Sequence, residues 1–143
     1  MAIKDIVKGI CNITRCKYDV YTKEKMDELL AGEVVYENKS GTTGTVELTK
    51  DISKSRKIEI TFKDNNDIYQ PYETRVYDNP SGKNITFSKF VYKLNDPGSY
   101  VVNINYNVTS TNIGKEESNR VYLTDSSTGQ DDSITIVKVV SYE

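Results

Sequence analysis

The chain has 143 residues, with 19 Lys and Arg set against 21 Asp and Glu, and neither His nor Trp. A formal net charge of -2 with both signs interspersed speaks against nucleic-acid binding by bulk electrostatics. The missing imidazole removes the commonest general base near neutral pH and the commonest metal ligand. This length suits one ordinary domain with an appendage, expected as an N-terminal segment over residues 1–32 followed by a β domain over residues 33–143.

Met1 to Gly9 alternates charge with Ile and Val and does not form the apolar run of a secretion signal. No stretch reaches the roughly 18 apolar residues of a spanning helix, so synthesis in a cytoplasm without membrane insertion is expected. Ile3, Ile6, Val7 and Ile10 recur at helix-like intervals and suggest a short amphipathic turn. Cys11 and Cys16 follow within Cys-Asn-Ile-Thr-Arg-Cys. A local disulfide there needs the chain to turn back on itself, a geometry sequence does not settle. A zinc site needs two further ligands, which here have to be carboxylates, rare in structural sites. Reduced thiols and no metal or other cofactor are the expectation.

Tyr18 to Gly32 carries the one clear helix signal. Thr22 suits the N-cap, Met26, Leu29 and Leu30 share one face at i, i+3 and i+4, and Gly32 stands where a C′ glycine ends a helix. A helix of about nine residues is too short to persist alone in water, where roughly 12 to 15 are marginal. Its apolar face therefore needs a partner, either the β domain of the same chain or other copies.

Beyond it the pattern is strand and turn. Asn38 to Gly44 reads as a polar surface loop. Val46 and Leu48 alternate with polar residues, and Ile58, Ile60 and Phe62 do so across Lys57 to Lys63. Asp64-Asn-Asn-Asp makes a turn, Glu73 to Asp78 a strand, Asn79-Pro-Ser-Gly a turn, and Asn84 to Phe87 a strand. After the break at Asp96-Pro-Gly, Val102, Ile104, Tyr106 and Val108 give the longest period-two run, over Tyr100 to Val108. Arg120 to Thr124 and Ser133 to Tyr142 complete the set, separated by a polar stretch from Asp125 to Asp132. The last strand slips phase between Ile136 and Val137, which a bulge explains. The fold class is all-β: an antiparallel β-sandwich of about seven or eight strands preceded by a short α-helix. The glycosylation patterns at Asn12, Asn38, Asn84 and Asn107 read as strand and turn chemistry in a chain without an export signal.

Four stretches resemble a small domain at the ends of tail and fibre proteins of bacteriophages that infect Gram-positive bacteria. They are Val20-Tyr-Thr-Lys-Glu-Lys-Met-Asp-Glu-Leu-Leu, Ser40-Gly-Thr-Thr-Gly-Thr-Val-Glu-Leu, Ile58-Glu-Ile-Thr-Phe-Lys-Asp-Asn-Asn and Ile134-Thr-Ile-Val-Lys-Val-Val-Ser-Tyr. The resemblance implies a non-enzymatic structural protein located in the virion, a short fibre, tail tip or head appendage. Such assemblies are usually trimeric, which assigns Met26, Leu29 and Leu30 to a threefold seam and the N-terminal segment to another virion protein. Only Met1 to Asp19 precedes the helix, so a stubby appendage is expected in place of a long fibre.

Eleven Tyr against three Phe is a balance that suits recognition, because Tyr combines an apolar ring with a wet polar tip. The candidate receptor-binding residues are Tyr69 and Tyr72, flanking Pro71, with Asn65 and Asn66 nearby to bond hydroxyls of host cell-surface carbohydrate. Against this stands plain packing of the two tyrosines beside an edge marked by Pro71. Two other functions compete with host recognition: a purely architectural decoration of capsid or tail, and a cell-wall hydrolase using two carboxylates about 5 to 10 Å apart. No carboxylate in the sequence stands in a motif that singles it out.

Overall fold

The computed structural model describes residues 22–24, 30–94 and 98–143. The chain divides into two compact units, Met1–Ala31 and Gly32–Glu143. Met26, Leu29, both cysteines and the repeat from Ile3 to Ile10 lie outside the described residues, while Leu30 is exposed.

The described residues of the second unit form nine strands: β1 (Glu33–Thr42), β2 (Val46–Glu47), β3 (Lys57–Asp64), β4 (Tyr72–Asp78), β5 (Lys83–Val91), β6 (Tyr100–Val108), β7 (Asn112–Tyr122), β8 (Thr128–Gln130) and β9 (Ile134–Tyr142). They form two antiparallel sheets in a sandwich-like arrangement. One has the order β1-β9-β3-β4; the other runs β2-β7-β6-β5, with β8 paired to β7. Because side chains alternate across a strand, the period-two runs decide which way each strand faces. Ile58, Ile60 and Phe62 of β3 and Tyr100, Val102, Ile104, Tyr106 and Val108 of β6 are all buried. The two inner faces interlock where the Phe62 ring lies 4.2 Å from Phe87 and 5.8 Å from Tyr106. Each such side chain contributes about 1.5 to 3 kcal/mol on full burial.

The bulge expected in the last strand is present. Thr61 pairs with Lys138 but Phe62 with Ile136, leaving Val137 as the extra residue. The slip keeps Ile134, Ile136 and Val139 all in the core.

Four expectations need correction. Asn38 to Thr42 is part of β1 and not a loop; pairing jumps from Glu37–Lys138 to Thr42–Ile136, so the strand carries four unpaired residues, Asn38 to the positive-φ Gly41, against the single Val137. Bonding of Tyr36 Oη to Thr42 Oγ1 at 2.5 Å spans that widened section. β7 starts at Asn112, eight residues before the expected strand, and ends at Tyr122. Asp125 to Asp132 is not only a connection: it contains β8, exposed at every residue and held by pairing with β7. Finally, Gly32 lacks the left-handed conformation of a C′ cap, and a β-carbon there would overlap Val140 and Tyr142. Close approach, not a turn, explains that glycine.

Candidate binding face

The connection between β3 and β4 is built from two Asx turns. Asp64 Oδ1 accepts the N–H of Asn66 at 2.9 Å, and Asp67 Oδ1 accepts those of Tyr69 and Gln70 at 2.9 and 3.0 Å. The free oxygens of both carboxylates converge on Lys89, whose Nζ donates to Asp64 Oδ2 at 3.1 Å and to Asp67 Oδ2 at 2.8 Å. Lys89 follows Ile85 and Phe87 on the inward row of β5, so its ammonium closes the end of the core and ties a loop of one sheet to a strand of the other. Burial opposes the Lys89 charge, but the two carboxylates outweigh it and the pKa is raised. The N–H of Gln70, the Lys89 ammonium and the N–H of Tyr69 hold the Asp67 carboxyl down at about 2.

This pinning fixes the backbone while leaving the loop's apolar side chains in water. Ile68 is 81% and Tyr69 89% exposed, next to Phe90 at 54% and Tyr92 at 68%. Together with Asn66, Asp67, Gln70, Lys89 and Lys93 they line an open groove of about 520 Å³. Large exposed rings on an ordered surface indicate a contact site more than a packing surplus.

The structure brings two of the four sequence-predicted recognition residues into this groove, Asn66 and Tyr69. Asn65 is turned to other work: its N–H and its Nδ2 both donate to the Ser133 carbonyl, at 2.9 and 3.0 Å. Tyr72 is exposed, but it opens β4 and does not line the groove. Phe90 and Tyr92 complete the site and were missed from sequence. Their signal was available in the alternation of β5, which places Phe90 opposite to the buried Phe87 and Val91.

A second feature occupies the outer face of the five-stranded sheet. Where β6 turns Val102, Ile104, Tyr106 and Val108 inward, it turns Asn103, Asn105 and Asn107 outward. Each meets a β5 side chain across the strand pair. Ser88 Oγ donates to Asn103 Oδ1 at 2.6 Å, Thr86 Oγ1 to Asn105 Oδ1 at 2.9 Å, and Asn107 Nδ2 to Asn84 Oδ1 at 3.0 Å. Pairing extends the rows sideways: Asn103 faces Asn119 of β7, which faces Gln130 of β8, and Asn105 faces Glu117. Asn119, Gln130 and Glu117 line a polar groove of about 480 Å³ beside Lys115 and the Thr43–Gly44 turn. In the other direction the β5 row continues from Ser88 to Phe90, with Tyr92 just past the strand's end, the rings of the first groove.

Beneath this face, Asp131 is fully buried and anchors the β8–β9 connection. Its Oδ2 accepts Arg120 Nε at 2.8 Å and Nη2 at 2.5 Å, while its Oδ1 accepts the N–H of Ser133 at 2.8 Å. Arg120 in turn stacks 4.5 Å over the Tyr100 ring. The arrangement is structural, fixing the edge that carries Gln130.

Neither protein-family models, nor curated proteins, nor solved structures give a match to this chain. Chemically, the face presents exposed rings, amides and hydroxyls. Its two convergent carboxylates, Asp64 and Asp67, are both engaged by one ammonium.

Proposed function

We propose that this chain is a non-enzymatic virion structural protein of a bacteriophage of Gram-positive bacteria, a short fibre, tail tip or head appendage. Under this reading it assembles as a trimer through its first unit and grips host cell-surface carbohydrate with its β unit. The observation that carries the recognition part is the Asp67–Lys89 pin, which holds Ile68 and Tyr69 in water beside Phe90 and Tyr92. Carbohydrate recognition uses such rings, since a sugar's apolar face stacks on them while its hydroxyls need amide partners. The virion role draws on the resemblance of the helix and strand motifs, and trimeric display supplies avidity from weak individual contacts.

The test is retention of the full chain on Gram-positive cell walls, compared with a Tyr69→Ala/Tyr92→Ala variant. Truncating a ring at the centre of an interface costs about 2 kcal/mol, so each loss should weaken binding roughly thirtyfold. If the chain binds no wall preparation yet joins a purified virion protein, it is an architectural decoration and the recognition reading fails.

A further inference from the structure

The loop groove is one end of a longer surface. From Tyr92, just past the end of β5, the outward row passes through Phe90 to Ser88, Thr86 and Asn84, and each of these last three is bonded to an asparagine of β6. Cross-strand pairs of this kind stabilise sheets by themselves, yet their polarity is one-sided here. In the Ser88–Asn103 and Thr86–Asn105 pairs the asparagine oxygen is already occupied by a hydroxyl. The carboxamide is thereby oriented, and among the described residues the N–H₂ groups of Asn103 and Asn105 donate to no protein acceptor. Side chains two apart on one strand are about 6.6 Å apart. The result is a row of fixed, uncharged donors on the outer face, with rings at one end and a polar groove at the other.

We infer that the outer face of the five-stranded sheet binds an extended, uncharged polysaccharide, with sugar rings stacked at Phe90 and Tyr92 and hydroxyls accepting from Asn103 and Asn105. The inference rests on the carbohydrate reading above and deepens it by assigning the charge class of the ligand and a second set of contacts. Charge is the deciding argument. The three β5–β6 pairs are neutral, and Glu117 lies beside Asn105 at the margin of the face. Lys89, in the middle of β5, points inward and is taken up by Asp64 and Asp67, Arg75 at the β5 edge is paired with Glu73, and Lys83 lies at the far end of the strand from the rings. At the polar groove a phosphate- or uronate-bearing polymer would meet Glu117 beside an ammonium, Lys115, already paired with Asp132 at 2.7 Å, and at the ring end Lys93, which lies over the Tyr100 ring, whereas a neutral polyol meets donors already aimed at it along the whole row.

The experiment is binding of the full chain to an array of neutral and acidic bacterial glycans, with subunit mass followed by light scattering. The expected result is retention on neutral polymers only. Asn103→Asp/Asn105→Asp, which keeps side-chain shape but replaces donors by acceptors, should lower affinity about tenfold or more at unchanged subunit mass. Asn105→Ala serves as the second variant and should lower it by several-fold to tenfold. Tyr69→Ala reports on the loop groove separately. Binding that Tyr69→Ala weakens and both asparagine variants leave intact would overturn the sheet-face inference while the recognition reading stands. Preferential binding of acidic glycans overturns the assignment of charge class. Asparagine variants that change subunit mass and not glycan binding make the face an interface between copies. Absence of binding to any glycan overturns both readings.

Discussion

At the scale of single residues, Lys89 and Asp67 show how a core-facing position is used to order a surface. Lys89 occupies the inward row of β5, where an apolar side chain is the default, and its ammonium is satisfied by carboxylates from the facing sheet. The pH response of this pin follows from the depressed Asp67 pKa, about 2 against an ordinary 3.8. Between those values the unfolded chain binds the proton and the folded one does not. The charge on Asp67 therefore stabilises fully above about pH 4, loses its effect as pH falls from 3.8 toward 2, and contributes nothing below that. In urea denaturation, wild type should exceed Asp67→Asn in stability at pH 5, with the gap narrowing at pH 3 and closing below pH 2. Taking the difference cancels the carboxylates outside the Lys89 network, leaving Asp67 and its coupling to Asp64. A gap that stays constant with pH would show that the hydrogen bonds of Asp67, and not its charge, hold the loop.

At the scale of elements, legibility in the sequence tracked how many faces of a strand touch the core. β3 and β6 are read correctly because each buries every second residue, and the phase slip at Val137 is visible because it occurs within such a run. β1 and β8 are missed for the converse reason. β1 is an edge strand with Val35 as its single fully buried side chain, and β8 is exposed throughout, so backbone pairing alone makes them strands. β7 loses its alternation at the register shift opposite Asn105–Tyr106, which hides its first half. The candidate groove was half legible, since the turn chemistry of Asp64 to Asp67 is local, while its meeting with Phe90 and Tyr92 depends on how the sheets stack. Gly41 provides the test of the β1 assignment. With φ at +81° and Thr135 where a β-carbon would go, Gly41→Ala should destabilise by about 1 to 3 kcal/mol. Gly44→Ala, with open space around it and no positive φ, should be neutral or stabilising by about 0.4 to 1 kcal/mol. Equal effects of the two in chemical denaturation would restore the loop reading of Asn38 to Gly44.

At the scale of the whole molecule, the core cluster of the described residues runs from Val35 to Val139, within the second unit. Folding of the second unit and the proposed assembly through the first should therefore be separable. Deleting residues 1–31 should leave a domain that unfolds in one cooperative transition, because every core residue among the described ones is kept. The proposed seam, by contrast, is removed whole, and the mass in solution should fall from trimer to monomer. Leu29→Ser/Leu30→Ser in the full chain should do the same, since each buried leucine of the seam contributes about 1.5 to 3 kcal/mol per copy. Wall binding then separates display from contact. The groove is intact in both altered chains, so a single site should keep its weak affinity while the joint grip of three falls by about 10² to 10⁴. Light scattering and retention on walls measure the two effects independently. A shortened chain that remains trimeric would place the assembly surface within the β unit. The edge strand β4, with Tyr72 and Val76 exposed, would be the first place to look for it.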